Sequence, residues 1–291
     1  DSSLTTIFNN SDSVSGVDEH LLKVFWKSNE VHYLTNGDFD PAVKPLIDFW
    51  GFGSSTITVM ESIDSAAVDS LLEFTSIEKI KVFDKEKNEF LEFYSAREFG
   101  DPENYVLVKT DKRARLDFNA IAQGYSVDLV CDFFEKKGIA NYLVEIGGEV
   151  RVKGTNSKGS LWKIGIDKPM EEKEYGRPLK AVMTLNNKSV ATSGNYRKFF
   201  EKNGIKYSHT ISAKTGYPVS HKILSATVIA DDCMTADAYA TAFMIMGHEK
   251  AINFLEEHKE LQAYLIFSDD NGNMKTYLTS ELEGSIEEKE S

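Results

Sequence analysis

ILSATVIADDCMTADAYATAFMIMG, residues 223–247, joins an apolar, β-branched run to a stretch of helical character, and this strand-then-helix unit sets the reading of the fold. Past Asp231 and Asp232 the only charge before Gly247 is Asp237, with the hydroxyl of Thr241 four residues on. That spacing puts both oxygens on one helical face. A lone carboxylate among Ala, Tyr, Phe, Ile and Met pays for its desolvation unless something pairs with it, and no Lys or Arg lies within helical reach. A divalent cation is one answer. The plainer one is a hydrogen bond at a helix entrance, with Thr241 bonding back to a carbonyl one turn earlier. An Asp and a Thr are also an incomplete set for a hard cation that takes about six oxygens.

Upstream, residues 17–36 carry Val17, Leu21, Leu22, Val24 and Phe25 at near-helical spacing, and Gly37 stands where a left-handed cap would close the helix. In Asp38-Phe39-Asp40-Pro41 a good N-cap residue is followed by Pro at the first helical position. Residues 65–74 repeat a helical pattern, then KIKVF, EFLEFY and YVLVK read as strands of an antiparallel excursion. Residues 119–137 read as a helix closed by Gly138, followed by NYLVEI, a Gly147-Gly148 pair and EVRVK. WKIGID, KAVMTL, KSVAT, KYSHTIS and AYLIF add strands, a second helix runs to about His258, and Asp270-Asn271-Gly272 turns into a short return strand. Strand runs interrupted by helices argue for an α+β fold of mostly antiparallel sheets packed with helices. One domain over residues 1–291 is expected, with an acidic, frayed tail over 281–291.

Composition narrows the chemistry. With 291 residues, 41% of them hydrophobic, the chain can bury a sizeable core. A net charge of −13 argues against an unassisted nucleic-acid or anionic-membrane surface, so a phosphate-bearing ligand would be met by metal or backbone amides. Cys131 and Cys233 have no zinc or redox spacing and read as buried small residues. No run of eighteen apolar residues occurs. The start at Asp1 rather than Met reads as a leader already removed. GxGxxG, P-loop and GxSxG signatures are missing.

Three further stretches bear on chemistry. RLDFNAIAQGY, residues 115–125, puts Asp117 at a strand end just before a helix expected to open at Asn119, where free amides favour anions; a capping role suits Asp117 equally. HTISAKTGYP, residues 209–218, sets His209 in a strand ahead of a tight turn, placed either to move a proton or to satisfy a core hydrogen bond. Residues 191–195, ATSGN, read as a small-residue loop suited to close backbone approach.

In order, NGDFDPAVKPLIDFWGFG, LDFNAIAQGYSVD, LVEIGGEVRVKG, ATSGNY, SHTISAKTGYPV and TADAYATAFMIMG resemble the ApbE family of flavin transferases over essentially the whole chain. The resemblance implies binding of FAD with Mg2+ (or Mn2+ or Ca2+), cleavage of its pyrophosphate, and transfer of FMN to a Thr or Ser of a partner, with release of AMP. The implied partner is the acceptor subunit of a membrane redox complex or another exported flavoprotein. The implied location is the periplasmic face of the inner membrane, as a lipoprotein, and the implied fold has two sub-lobes with FAD between them.

Carried over position by position, Asp237, Thr241 and the carbonyl of Ala120 are the metal ligands. Asp38, Phe39, Asp40, Asp117, Gln123 and Ile211 contact FAD, Phe8 matches an aromatic position near the flavin, and His209 matches the histidine that assists the acceptor hydroxyl, with Asp117 second. Gln123 stands where the family commonly has Lys, Ser212-Ala213 where it has Asp-Pro, which would loosen that loop, and a Met-Gly-Thr strand near the family's start has no counterpart. Two other readings share these residues: an FAD pyrophosphatase that hands FMN to water, and an FAD-binding or storage protein with a structural metal.

Overall fold

A computed structural model describes residues 3–53, 64–92, 100–169, 178–194, 199–202, 205–208, 210–220 and 222–289. The chain divides into two compact units, residues 1–119 with 202–204 and 211–218, and residues 120–201 with 205–210 and 219–291.

In the first unit, α1 (Leu4–Asn9) starts at a Ser3 side-chain cap and β1 (Ser13–Ser15) follows. Helix α2 (Glu19–Leu34) begins where Asp18 accepts the Leu21 amide, and stops where Asn36 and Gly37 take positive φ and the Gly37 amide returns to the His32 carbonyl at 2.7 Å. Its apolar stripe, including Leu22, Phe25 and Val31, is buried, as the spacing requires. The expected helix at Pro41 does not form. Helix α3 (Lys44–Phe49) starts three residues later with Pro45 in its first turn; Asp40 accepts the Ala42 amide in a local turn and Asp38 pairs with Lys214. Helix α4 (Ser65–Leu72) is capped by Asp64.

Strands β2 (Ile80–Asp84), β3 (Glu89–Phe90) and β4 (Tyr105–Lys109) complete an antiparallel sheet of order β1-β4-β2-β3. Alternate residues of β2 and β4 are buried, the pattern of a sheet with one face on the core. EFLEFY is strand only at Glu89–Phe90; its last residues lie outside those described.

The second unit opens with α5 (Ala122–Lys136), three residues after the expected start, followed by β5 (Tyr142–Ile146), β6 (Glu149–Lys153), β7 (Trp162–Asp167), β8 (Leu179–Leu185) and β9 (Ser189–Gly194). The residues expected as a loop at 191–194 are in fact central strand: β9 pairs Gly194 to Ser189 with Ser225 to Ala230, and Asn195 lies outside the described residues. Their small size serves the helix packed on them. A separate hairpin, β10 (Phe199–Lys202) and β11 (Ile205–Ser208), precedes β12 (Ile223–Ala230), α6 (Cys233–Met246), α7 (His248–Glu257), β13 (Gln262–Ser268), β14 (Met274–Leu278) and β15 (Ile286–Glu288).

Six strands in the order β14-β13-β12-β9-β6-β5, each antiparallel to its neighbours, form the main sheet. One face carries Val150, Val152, Val190, Ile229, Tyr264 and Ile266 into a shared core with Ile166, Ala181, Met183 and Leu185 of the three-stranded sheet β15-β8-β7. Helix α6 packs on β12 and β9 and against α5. The tail is not frayed: β15 pairs with β8, Leu282 is buried, and Glu288 accepts from the Tyr264 hydroxyl at 2.7 Å. Among the described residues no helix is long and apolar enough to cross a membrane.

The α5–α6 contact is made by an exchange of side chains and amides. Asp128 of α5, buried, accepts the Cys233 amide at 2.9 Å and the Met234 amide at 2.8 Å, the first two of α6, and also Arg151 Nη1 of β6 at 2.7 Å. Asp232 takes the third amide, that of Thr235, so the start of α6 leaves none of these donors unmet. In return Asp237 of α6 accepts the Gly124 amide of α5 at 2.9 Å. Gly124 permits this approach, since a Cβ there would stand 2.3 Å from the Cys233 carbonyl oxygen and 2.8 Å from Asp237 Cβ. Replacing Asp128 with Ala strands Arg151 and two amides and is expected to destabilise the chain by about 3 kcal/mol or more in urea unfolding. Gly124→Ala should cost about 1–3 kcal/mol by overpacking in the same measurement.

Candidate functional site

Asp237 is buried at 5% exposure, and no Lys, Arg or His among the described residues forms an ion pair with it. Burial pushes its carboxyl up to about 6, against the downward pull of the Gly124 amide. Its Oδ2 is engaged by that amide, while Oδ1 has no hydrogen bond among the described residues. Thr241, one turn along α6, shares a hydrogen bond with Ser193 of β9, Oγ1 to Oγ at 3.1 Å, and has no side-chain bond to a carbonyl one turn earlier among the described residues. Ala120 sits in the turn that leads into α5, the end of the helix whose Gly124 grips Asp237. Thus Asp237 and Thr241 share a face, as their spacing requires, and Asp237 is also tied to the first turn of a second helix.

Glu149, at the start of β6, was not singled out from the sequence. It is half-buried and hydrogen-bonded to the side chain of Gln123, whose Nε2 also donates to the Ile146 carbonyl at 2.9 Å. Burial, then the neighbouring Asp237 charge, pushes its carboxyl up to about 7, against its own amide and Gln123. Gln123 and Gly124, adjacent in the first turn of α5, therefore hold the two carboxylates Glu149 and Asp237. The Gly147-Gly148 turn makes room: a Cβ on Gly147 (φ 65°) would stand 1.8 Å from Gln123 Nε2. The sequence signal was present in LVEIGGEVRVKG, where an acid follows the turn directly.

Among the described residues no three His, Cys, Asp or Glu side chains gather as a metal cluster. The Ala120, Asp237 and Thr241 set does not call for one, being a carboxylate, a hydroxyl and a main-chain carbonyl. Hard oxygen donors of this kind, beside a buried carboxylate lacking an ion-pair partner, fit a divalent cation.

Asp38, Phe39, Asp40, Phe8, Asp117 and Ile211 lie in the first unit. Asp38 pairs with Lys214 at 2.8 Å. Asp40, buried, accepts the Ala42 amide at 2.7 Å and the Ile77 amide at 3.1 Å and meets His32 Nδ1 at 3.2 Å, so it organises its own unit. Phe39 and Ile211 are buried, and Phe8 is fully buried with Lys109 Nζ 4.8 Å from its ring centroid. Asp117 caps no helix: it accepts the Asn119 amide at 2.9 Å and the Asn119 side chain at 3.3 Å in a local turn, and its own amide bonds to the Pro41 carbonyl. His209 lies outside the described residues. In the turn after it the Ser212 hydroxyl accepts the Thr215 amide at 3.3 Å and Trp50 Nε1 donates to the Gly216 carbonyl at 2.7 Å.

The ApbE family model matches residues 1–265. The chain belongs to the ApbE family. It is 33% identical over 264 residues to the FAD:protein FMN transferase of Vibrio cholerae, spanning 91% of this chain and 71% of that protein. To the protein of the same name in Haemophilus influenzae it is 36% identical over 250 residues, spanning 86% of this chain and 66% of that protein. Among solved structures, the flavin transferase ApbE from Vibrio cholerae has a TM-score of 0.78 at 30% identity and covers 97% of this chain and 82% of its own. The ApbE protein from Thermotoga maritima has a TM-score of 0.77 at 25% identity, covering 99% and 84%. The α+β reading, helices with antiparallel sheets, is the architecture of these ApbE structures.

One pH dependence follows from the first unit. Burial alone would lower His32, but the Asp40 hydrogen bond and charge outweigh it and raise it above the ordinary 6.5. The stabilisation from this pair is therefore complete below pH 6.5 and is lost as pH rises through the raised value. In urea unfolding, the stability gap between the parent chain and His32→Gln should narrow on going from mildly acidic to alkaline pH.

Proposed function

We propose that this chain moves FMN from FAD to a Thr or Ser hydroxyl of an acceptor flavoprotein and releases AMP. Membership of the ApbE family, with relatives named FAD:protein FMN transferase, supports the class of reaction. The observation that carries the metal-dependent form is Asp237, buried without an ion-pair partner among the described residues and one helical turn from Thr241. With Ala120, these residues would hold the cation.

A divalent cation bound there would neutralise charge on the pyrophosphate oxygens. A chain of net charge −13 has reason to meet a phosphate in this way rather than with a basic patch. In the reaction the acceptor oxygen attacks the phosphorus of the FMN half, the bond from that phosphorus to the bridging oxygen breaks, and AMP leaves with the electron pair. The proton of the hydroxyl passes to a base. His209 is the first candidate by family resemblance. Asp117 is the second, its carboxylate already oriented by Asn119. Gln123 keeps its amide on Ile146 and Glu149, so its role is to position a carboxylate.

The test is to incubate the chain with FAD, Mg2+ and an acceptor fragment bearing the target Thr, following acceptor mass and AMP. A gain of one FMN on the acceptor with matching AMP is expected. Free FMN with an unmodified acceptor would replace the transferase by a pyrophosphatase, and unchanged, retained FAD would replace it by a binding protein. Asp237→Ala should lower the rate by about 100-fold or more; an undiminished rate would remove the metal assignment, and an undiminished His209→Ala rate would remove His209 as base.

A further inference from the structure

The geometry points to Glu149 as a further protein oxygen donor to the divalent cation, held in position by Gln123. This rests on the reading that places the cation against Asp237. Three observations on the second unit converge on it. The side chain of Gln123 and the main-chain amide of Gly124, neighbours in the first turn of α5, hold Glu149 and Asp237 respectively. Both carboxylates are therefore fixed at the end of α5 that follows the Ala120 turn. Neither forms an ion pair with a Lys, Arg or His among the described residues. The Gly147 backbone leaves open the space that the Gln123 amide fills, where a Cβ would stand 1.8 Å away.

Electrostatics give the arrangement its purpose. Two carboxylates held within electrostatic reach of each other, one buried and one half-buried, repel and are poorly solvated. A divalent ion between them cancels both charges. Before a nucleotide arrives, Asp237 alone leaves much of the charge of a bound M2+ uncompensated, whereas Glu149 adds a second anionic oxygen donor. Gln123 suits the task because its amide donates to the carboxylate without adding a charge that would compete with the ion.

The test uses Mn2+ alone, without FAD, titrated calorimetrically into the metal-free chain and into Glu149→Gln, Gln123→Ala and Asp237→Asn. Glu149→Gln should weaken Mn2+ binding by about tenfold or more, and Gln123→Ala, which frees the carboxylate to turn, by about tenfold. Metal-free Glu149→Gln should unfold at the same temperature as the parent chain or higher, because it removes a repulsion; weakened binding then cannot be a folding defect. Asp237→Asn should lose the binding. If Asp237→Asn loses Mn2+ while Glu149→Gln binds it like the parent, Glu149 is not a donor and the cation reading stands. Should Asp237→Asn bind Mn2+ like the parent, or the parent take none, the cation reading falls and this inference with it.

Discussion

The second unit depends on a trade between two helices. Asp128 of α5 serves the first amides of α6, and Asp237 of α6 serves an amide in the first turn of α5. Each helix start leaves donors that must be met once water is excluded, and each meets them with a carboxylate from the other. The bonds are charge-assisted, each worth roughly 1.5–3 kcal/mol. They also differ in what is left over. Asp128 spends both oxygens and is neutralised by Arg151, whereas Asp237 has one oxygen bonded and no ion-pair partner among the described residues. A structural joint and a candidate ligand site thus use the same chemistry, and the position of one arginine separates them.

The main sheet is the platform for this trade. Ala191 of β9, with Ala226 and Ala230 of β12, is buried beneath a helix that itself carries Ala236, Ala238, Ala240 and Ala242. Small residues on both sides allow α6 to lie close to the strands, and Ser193 comes within hydrogen-bonding distance of Thr241. The opposite face of the sheet is filled by larger side chains, Tyr264 and Ile266 among them, shared with the three-stranded sheet.

Sequence reasoning reached those features that are local in the chain. Asp237 and Thr241 lie four apart on one helix, so their common face follows from helical period alone. Strands β2 and β4 were legible from alternation, the end of α2 from Asn36 and Gly37, and the hairpin between β5 and β6 from its paired glycines. What was missed is long-range. Glu149 looked like a strand residue after a turn, and nothing near it in sequence announces Gln123 26 residues away. Residues 191–194 looked like a loop because small residues favour loops, but here tertiary packing called for small residues within a strand. The acidic tail looked unstructured because its hydrophobic anchors, Leu282 and Ile286, are few and its strand partner is about a hundred residues upstream in sequence. The segment Asp38-Phe39-Asp40-Pro41 carries an N-cap residue before Pro, yet the helix starts only at Lys44, while Asp38 pairs with Lys214 and Asp40 also takes the distant Ile77 amide.

The bond between Gly124 and Asp237 joins residues separated by 113 positions. Such a contact closes a long loop and must wait for much of the chain to emerge and the intervening strands to assemble, as non-local contacts are slow to form. A nascent chain that has already made α5 therefore carries its free helix amides for some time, and the carboxylates that later crowd together are still far apart. The joint between Asp237 and the first turn of α5 is thus complete only in the finished second unit.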